Sequence, residues 1–399
     1  MTPTANILIV DDSEAIRLVL SDMLTEYTSG AIKPFSNALA ALTHTQESQP
    51  DLIFVDLNMP DMDGMELIRE LGSMGFQGGV IIASGVDERI IKLASDIAKQ
   101  NLVHLIASLI KPITREHLKA CMDKFACFQQ HRHVAENPLK QQEIDQAINE
   151  MKLLPYYQPK INTASNKILG FELLARIDSP TLGGIIPPSR FIRVAEDNNL
   201  IDKLTYTLLN QALKDFTELR SLSLSHVSLA FNLSPVQLEN LDTPRILDEL
   251  VNHHKIKPKD LVIEVTEEYA LRSANQLETL NRLRLKGYGV ALDDFGTGFT
   301  NINQLLNLPF SEIKIDQNLI SNIHHDHFSQ VITKTICEIC KNLDIDLVAE
   351  GIEQIEELEC LHSISKQIFT QGYLISKPKP LSEIKRWIKS LNNSNTLSH

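Results

Sequence analysis

The 399-residue sequence lacks a long apolar run, an excess of basic residues and a regular cysteine framework. No apolar stretch approaches the roughly 20 residues that a membrane helix requires. The N-terminus, MTPTANILIVDDS, has neither the basic start nor the long apolar segment of a signal peptide. A net charge of −13 argues against binding to a nucleic-acid backbone, because such proteins carry basic patches. We therefore expect a cytoplasmic protein that binds neither DNA nor a membrane.

Cysteine and histidine provide few candidate ligands for zinc. The five cysteines, at 121, 127, 337, 340 and 360, are odd in number and lack framework spacing, which fits reduced thiols. Cys337 and Cys340 form a CxxC, but the surrounding segment VITKTICEICKNL has helical apolar spacing, and no second pair completes a zinc site. We interpret these cysteines as helix residues. The histidines at 253, 254, 324, 325 and 327 are interpreted as solvated loop residues.

The length of the chain predicts two domains, because 399 residues exceed the size that one hydrophobic core serves efficiently. A hydrophobic fraction of 43% with 22% charged residues is typical of folded proteins. We predict a first domain over residues 1–128, a polar linker and a first helix over 129–150, and a second domain over 151–390. The remaining polar tail, LNNSNTLSH, is predicted to be disordered.

Four apolar runs in the first domain end at polar residues. NILIV precedes Asp11 and Asp12, DLIFV precedes Asp56, GVIIA precedes Ser84, and LIASLI precedes Lys111. Such runs, alternating with amphipathic segments, predict a parallel α/β sheet with helices on both faces. Ligands of these sheets bind beyond the carboxyl ends of the strands, where the polar groups would gather. Three carboxylates and a lysine there suit a Mg²⁺ ion and a phosphoryl group.

The order of these residues, together with VDLNMPDMDG, resembles the receiver domain of two-component response regulators, a flavodoxin-like doubly wound fold. The resemblance implies that Asp56 is the phosphorylation site and that Ser84 and Lys111 sense the phosphate. It also implies a sensor histidine kinase or a phosphotransfer protein as partner. The implied ligands of one Mg²⁺ ion are Asp11, Asp12 and Asp56.

One position departs from the receiver pattern. Ser108 stands where receivers usually carry an aromatic residue that rotates as the hydroxyl residue shifts. We therefore expect phosphorylation to be transmitted by another route. The alternative is a degenerate receiver that serves only as a docking module.

The second domain contains eight apolar runs with polar residues at or near their carboxyl ends. In chain order they are YYQPKI, ILGFELLAR, VSLAFNLS, LVIEVTEE, GVALDDFG, EIKID, LVAEGIE and FTQGYLIS. Their number and spacing predict a (β/α)₈ TIM-like barrel with its chemistry at the carboxyl ends of the strands. The first two runs are separated only by NTASNK, which is too short for a parallel crossover. We therefore expect the first strand to be antiparallel to the second.

Acidic and amide side chains converge on one mouth of this predicted barrel. They are Glu172, Asn232, Glu264, Asp293 and Asp294. Adjacent carboxylates such as Asp293 and Asp294 repel each other unless a cation compensates their charge. Oxygen ligands without cysteine or histidine favour Mg²⁺ or Mn²⁺ over zinc. Two such ions can share one carboxylate and clamp a phosphodiester, and Asp293 is the natural bridge.

These motifs resemble the EAL family of cyclic di-GMP phosphodiesterases over essentially all of residues 151–390. The signature reads Glu172-Leu173-Leu174, with leucine in place of the middle alanine. The other landmarks are FNLS, EVTE, DDFGTGF, IKID, AEGIE and QGYLISKP, and no GGDEF-type cyclase motif occurs. The resemblance implies hydrolysis of cyclic di-GMP to linear pGpG by a two-metal mechanism, and a dimer or tetramer whose subunits meet through the DFGTGFTNINQLL loop.

The family's functional residues match positions of this sequence. The first ion would be held by Glu172, Asn232, Glu264 and Asp293, and the second would be supported by Asp293 and Asp294. Lys314 and Glu350 would orient and deprotonate the attacking water, and Glu267 and Glu353 would brace the loop after Asp294. Substrate would contact Arg176, Leu173 and Gln371.

Three functions remain distinct alternatives. A phosphorylation-controlled hydrolase is favoured, because receptors of this lineage usually lose metal ligands or the lysine, and this chain keeps them. A non-catalytic cyclic di-GMP receptor is the second. A DNA-binding response regulator is not supported, because the output region lacks a basic recognition helix. Taken singly, Glu267 could cap a helix, Lys314 could be an exposed strand-end lysine, and Arg176 could form a weak surface ion pair.

Overall fold

A computed structural model describes residues 4–85, 88–101, 103–135, 138–165, 167–180, 184–222, 226–266, 273–296 and 308–396. The chain divides into two compact units, Met1–Asn137 and Pro138–His399. Across these described stretches, no helix combines the length and the apolar character needed to cross a membrane.

The first unit is built on a five-stranded parallel sheet with strand order β2-β1-β3-β4-β5. Its strands are β1 (Ile7–Val10), β2 (Ile32–Phe35), β3 (Leu52–Val55), β4 (Gly79–Ser84) and β5 (His104–Ile110). This order is that of the flavodoxin-like fold, which confirms the predicted fold class. The sequence analysis missed β2. This strand carries Lys33 and Pro34 and lies at the edge of the sheet, where a proline costs no ladder hydrogen bond.

Helices cover both faces of this sheet. They are α1 (Glu14–Leu24), α2 (Ala38–Ser48), α3 (Gly64–Ser73), α4 (Glu88–Gln100) and α5 (Arg115–Ala135). Successive side chains of β1 enter opposite cores, with Ile7 and Ile9 in one and Leu8 and Val10 in the other. Because α5 continues to Ala135, residues 129–135 are helical rather than part of a polar linker, which corrects the prediction for that segment.

The second unit is a closed barrel of eight strands with two short additional strands. The barrel strands are β6 (Leu153–Asn162), β7 (Lys167–Ser179), β9 (Ser228–Asn232), β10 (Leu261–Thr266), β11 (Gly289–Phe295), β12 (Glu312–Ile315), β13 (Asp346–Ala349) and β14 (Phe369–Thr370). Around the barrel, β7 is followed by β9, β10, β11, β12, β13 and β14, and each neighbouring pair is parallel. β6 closes the ring, because it pairs antiparallel with both β7 and β14. The predicted barrel and its antiparallel first strand are confirmed.

Two short strands were not predicted. β8 (Gly184–Ile186) pairs antiparallel with the end of β7, and β15 (Lys379–Pro380) pairs antiparallel with β6. With three and two residues, they are too short to show an alternating pattern in the sequence.

Helices surround the barrel and share one apolar core with it. They are α6 (Gln141–Asn149), α7 (Ile192–Asp197), α8 (Ile201–Arg220), α9 (Pro235–Leu238), α10 (Thr243–His253), α11 (Ala274–Leu285), α12 (Gln317–Ile320), α13 (His327–Leu343), α14 (Ile355–Ile364) and α15 (Leu381–Thr396). Short 3₁₀ turns occupy Pro188–Arg190 and Pro258–Asp260. The last helix extends to Thr396, so residues 391–396 are helical and the predicted disordered tail is wrong there.

Candidate active site and receiver site

The receiver site lies at the carboxyl ends of β1, β3 and β5. Lys111 places its ammonium 2.7 Å from Asp11 Oδ2 and 2.7 Å from Asp56 Oδ2. Burial lowers the pKa of Lys111, but its hydrogen bonds to Asp11 and Asp56 outweigh that effect and the pKa is raised. Burial raises the pKa of Asp11, which is 1% exposed. The structure therefore brings the predicted lysine and two of the predicted carboxylates into direct contact.

The predicted phosphate sensor and the third carboxylate border the same site. The carboxylates of Asp11, Asp12 and Asp56 place oxygen atoms within 4.8 Å of one another, which suits an ion with oxygen ligands. Ser84 is fully buried, and its hydroxyl has no hydrogen-bond partner among the described residues. A buried hydroxyl without a partner is costly, so this group is available to a hydrogen-bond acceptor that enters the site.

The predicted ligands of the second unit lie on neighbouring barrel strands. Register pairs Glu264 of β10 with Asn232 of β9, and pairs Thr266 of β10 with Asp293 of β11. The Asn232 amide donates to Glu172 Oε1 at 3.4 Å and to Glu264 Oε2 at 3.3 Å. Glu350 follows the end of β13, and its carboxylate groups with those of Asp293 and Asp294 within 4.8 Å. All five predicted ligands lie at one mouth.

Lys314 is the centre of this cluster. Its ammonium lies 2.8 Å from Glu350, 3.0 Å from Asp293, 3.2 Å from Glu264 and 3.4 Å from Glu172. The residue is 1% exposed, which excludes the alternative that it is an exposed strand-end lysine. Burial lowers its pKa, but the attraction of these carboxylates outweighs burial and raises the pKa well above the usual value.

Burial and mutual repulsion raise the pKa of several carboxyls at this mouth. Burial and the nearby charge of Glu172 raise the pKa of Glu264 to about 8. Burial and the neighbouring charge of Asp293 raise the pKa of Asp294 to about 7. Burial raises the pKa of Glu350 well above its usual range, despite Lys314. Lys314 therefore does not fully compensate the ionised forms of these carboxyls.

The donor atoms fit hard divalent cations. The cluster offers carboxylate and amide oxygens; among the described residues, Glu264 Oε1 is in ionic contact with Lys314 at 3.2 Å but forms no hydrogen bond of normal geometry. Across the described residues, only two groups of three potential ligands come together, namely the receiver carboxylates and Asp293, Asp294 and Glu350, and neither contains cysteine or histidine. Oxygen ligands favour Mg²⁺ or Mn²⁺, as the sequence predicts.

Gln371 contacts Glu172, a predicted metal ligand. Its amide donates to Glu172 Oε2 and, at 3.3 Å, to Gln158 Oε1. Gln158 in turn donates to the carbonyl of Ser376 at 3.3 Å, which orients its own oxygen toward Gln371. Gln371 therefore positions Glu172, while its Oε1 is buried without a partner among the described residues.

Two buried residues below the mouth were missed by the sequence analysis. Lys160 of β6 is fully buried, with its ammonium 2.5 Å from Glu312 Oε1 and 3.5 Å from Glu264 Oε1. Burial lowers the pKa of Lys160, but Glu312 and Glu264 outweigh burial and raise it. The available signal was alternation: Gln158 and Lys160 in YYQPKI, and Glu312 and Lys314 in EIKID, occupy positions of one face.

Of the predicted substrate-binding residues, Leu173 lines an apolar cavity, whereas Arg176 and Gln371 are not among its lining residues. The guanidinium of Arg176 lies 5.4 Å from the ring centroid of Tyr156 and donates to the carbonyl of Ala175 at 2.8 Å. Arg176 is half-buried, and burial lowers its pKa; among the described residues no ion pair holds its guanidinium. A cavity of about 740 Å³ reaches Asn232 and is lined by residues of β7 and β9, including Leu173, and by α7 and α8.

One predicted residue, Glu353, does not join the cluster, and another, Glu267, cannot be placed. Glu353 is exposed, and its backbone N–H donates to Glu357 Oε2 at 3.0 Å. Glu267 lies outside the described residues, as does most of the DFGTGFTNINQLL loop that both were predicted to brace.

Comparison with known proteins agrees with this arrangement. The response regulator receiver domain family matches residues 7–123, and the EAL domain family matches residues 141–378. The chain belongs to the EAL domain family. The receiver domain precedes the EAL domain, as the sequence motifs predict.

One named relative matches almost the whole chain, and two solved structures match about 60% of it. The EAL protein is 30% identical over 381 residues to the cyclic di-GMP phosphodiesterase RocR of Pseudomonas aeruginosa, covering 94% of this chain and 96% of RocR. The PaMucR phosphodiesterase in complex with c-di-GMP has a TM-score of 0.57 at 30% identity, covering 61% of this chain and 98% of that one. The manganese and c-di-GMP complex of Klebsiella pneumoniae BlrP1 has a TM-score of 0.51 at 28% identity, covering 58% and 57% of the two chains.

Proposed function

We propose that the EAL domain hydrolyses one phosphodiester bond of cyclic di-GMP to give linear pGpG, using two divalent cations. The observation that carries this proposal is the contact of Lys314 with four carboxylates at the barrel mouth. We further propose that the receiver domain regulates this activity through phosphorylation of Asp56. The names of the relatives support the substrate, since RocR and PaMucR are named as phosphodiesterases and PaMucR is a complex with c-di-GMP.

The charge balance of the site supports two cations. Six carboxylates gather here against two ammonium groups, which leaves four excess negative charges when all are ionised. Two divalent ions would neutralise them. The carboxylates are Glu172, Glu264, Asp293, Asp294, Glu312 and Glu350, and the ammonium groups are those of Lys160 and Lys314.

The residues divide the chemistry between them. Glu172, Asn232, Glu264 and Asp293 would hold one ion, and Asp293 and Asp294 the other. When bound, these ions would supply Lewis-acid activation of water and of the scissile phosphodiester. Lys314 stabilises negative charge that develops on phosphorus, because its ammonium is fixed and shielded from water. Glu350, whose carboxylate lies 2.8 Å from Lys314 and groups with those of Asp293 and Asp294, would accept a proton from the attacking water.

The cavity and Arg176 would bind the substrate. Leu173 and the other apolar residues of the cavity suit a purine base, and its 740 Å³ lies within the range of small-molecule sites. The guanidinium of Arg176, stacked near Tyr156, can hold a phosphate as a charge-assisted hydrogen-bond donor. A base in the cavity would place the adjoining phosphate near Asn232, which borders both cavity and cluster.

A product assay tests the enzyme against a non-catalytic receptor. Incubation with cyclic di-GMP and Mg²⁺ should yield pGpG by chromatography, and excess EDTA should stop product formation. The E172Q variant serves as the matched control, since it retains the shape of the side chain and removes its charge. Tight binding of cyclic di-GMP without pGpG, with or without a phosphodonor, would instead identify a receptor.

A further inference from the structure

The antiparallel strand β6 supplies no predicted metal ligand, yet it carries Lys160 into the centre of the barrel. The ammonium lies 3.5 Å from Glu264 Oε1 and 2.5 Å from Glu312 Oε1. Lys160, Glu264 and Glu312 are 0%, 0% and 3% exposed. These three groups therefore interact in a nearly water-free interior, where charge interactions are strong and an unpaired charge is costly.

The surroundings of Lys160 offer little else to bind. Two positions before the ligands Asn232, Glu264 and Asp293 lie Ala230, Val262 and Ala291, which form an apolar cluster of their own. On β7 the corresponding position is Gly170, which lies opposite Lys160 in the strand register. Small side chains leave room for the long lysine but provide no hydrogen-bond partner. The position of the ammonium is therefore set by the two carboxylates.

Glu264 is held differently at its two oxygens. Oε2 accepts a hydrogen bond from Asn232, whereas Oε1 lies between two ammonium groups, 3.2 Å from Lys314 and 3.5 Å from Lys160. Lys314 is shared with three other carboxylates, so it does not fix Glu264 alone. Glu312 anchors Lys160 from the opposite side at the start of β12.

We propose that Lys160, anchored by Glu312, is a positioning residue that fixes Glu264 for divalent-cation binding. This inference rests on the proposed function of the cluster. Lys160 touches neither the predicted ions nor the substrate, and it acts through Glu264. Residues that orient metal ligands typically change metal affinity or activity by about 10- to 100-fold when they are replaced.

The decisive variant is K160M/E312M, which removes one positive and one negative charge. The net charge of the site is unchanged, so a purely electrostatic role predicts unaltered cation binding. Replacement of a buried ion pair by apolar side chains of similar volume is often neutral for stability, so the fold should persist. We expect Mn²⁺ affinity, measured by isothermal titration calorimetry, to fall about 10- to 100-fold, with a lower kcat and a largely unchanged KM for cyclic di-GMP.

Two further variants sharpen the test. E312Q keeps Lys160 and its hydrogen-bond partner, so it should bind Mn²⁺ more tightly than K160M/E312M does. K203M/D145N removes an exposed ion pair of 2.6 Å on α6 and α8 and should match the wild type. A folded K160M/E312M protein with wild-type Mn²⁺ affinity and kcat would overturn the inference. A wild-type protein that neither binds Mn²⁺ at the barrel nor forms pGpG would instead overturn the proposed function.

Discussion

Single residues set the charge of the barrel mouth, and Lys314 contacts more of its carboxylates than the other described lysine of the cluster, Lys160, does. The buried ammonium of Lys314 contacts four carboxylates within 3.4 Å. The motif IKID predicts this lysine from the sequence, because a known family carries it at that place. Lys160 and Glu312 escaped prediction: alternation places Glu312 on the face of Lys314 and Lys160 on the face of Gln158, but only the strand register shows that these faces meet inside the barrel.

Replacing Lys314 by methionine should lower kcat more than it changes KM. The ammonium matters most as phosphorus gains negative charge, and loss of one such donor typically costs about 10²- to 10³-fold in kcat. Steady-state kinetics of pGpG formation at saturating Mg²⁺ measures both constants. A raised KM with unchanged kcat would assign Lys314 to substrate binding alone.

The same variant should make stability depend on cations. Without Lys314, the carboxylates of the cluster lose their shared counter-charge, and bound divalent ions can replace it. The chain has one tryptophan, Trp387 on α15, so its fluorescence reports the second unit. We expect K314M to unfold at lower urea than the wild type in EDTA and to recover much of the difference in Mg²⁺. Equal destabilisation in both conditions would show a packing defect instead.

Replacing Glu172 by glutamine should remove a metal ligand and leave the barrel intact. The amide retains the volume of the side chain and keeps one acceptor oxygen for Gln371 or Asn232, but it lacks the negative charge of the carboxylate ligand. We expect pGpG formation to fall below detection, with circular dichroism unchanged. Wild-type turnover by E172Q would exclude Glu172 from the site.

At the scale of elements, polar residues at strand ends made both sheets predictable. The buried strands read as apolar runs, and the short NTASNK connection predicts the antiparallel β6 and β7 pair. The elements that were missed, β2, β8 and β15, are edge strands or additions of two to four residues. Their pairing is decided by tertiary contacts, which local sequence does not encode.

The close approach of β7 and β9 requires glycine at position 170. A Cβ atom there would lie 2.5 Å from the carbonyl oxygen of Ser228, its register partner. We expect Gly170→Ala to destabilise the second unit by roughly 1 to 3 kcal/mol through overpacking. Urea unfolding followed by Trp387 fluorescence measures this change.

Gly289→Ala on β11 is the graded control for that substitution. Its nearest contact would be the side-chain atom Cγ2 of Val262 at 3.0 Å, which can shift more easily than backbone. We therefore expect a smaller loss of stability than in Gly170→Ala. If Gly170→Ala leaves the free energy of unfolding unchanged, β7 and β9 can move apart and the glycine is not required.

At the scale of the whole molecule, sequence motifs predicted two units of different fold and the order in which they occur. The residue at which α5, the last helix of the first unit, ends was less predictable. The polar composition of residues 129–135 suggests a linker, yet they continue α5. Polar residues form exposed helix surface as readily as coil, so composition alone does not place the end of such a helix.

The regulatory proposal links the two units through Asp56. Its carboxylate lies 2.7 Å from Lys111, and Asp11 and Asp12 complete an oxygen cluster suited to Mg²⁺. The Ser84 hydroxyl at the end of the neighbouring strand β4 has no hydrogen-bond partner in the described part of the chain. A small phosphodonor with Mg²⁺ should therefore add one phosphoryl group, visible by mass spectrometry, and should change the rate of pGpG formation. In D56N both the added mass and the change of rate should disappear, while turnover without a phosphodonor persists, because the barrel retains all its ligands.

E172Q should be phosphorylated normally and form no product, which separates phosphorylation of the receiver domain from hydrolysis by the EAL domain. An undiminished response of D56N to the phosphodonor would show that Asp56 is not the phosphorylation site through which the receiver acts.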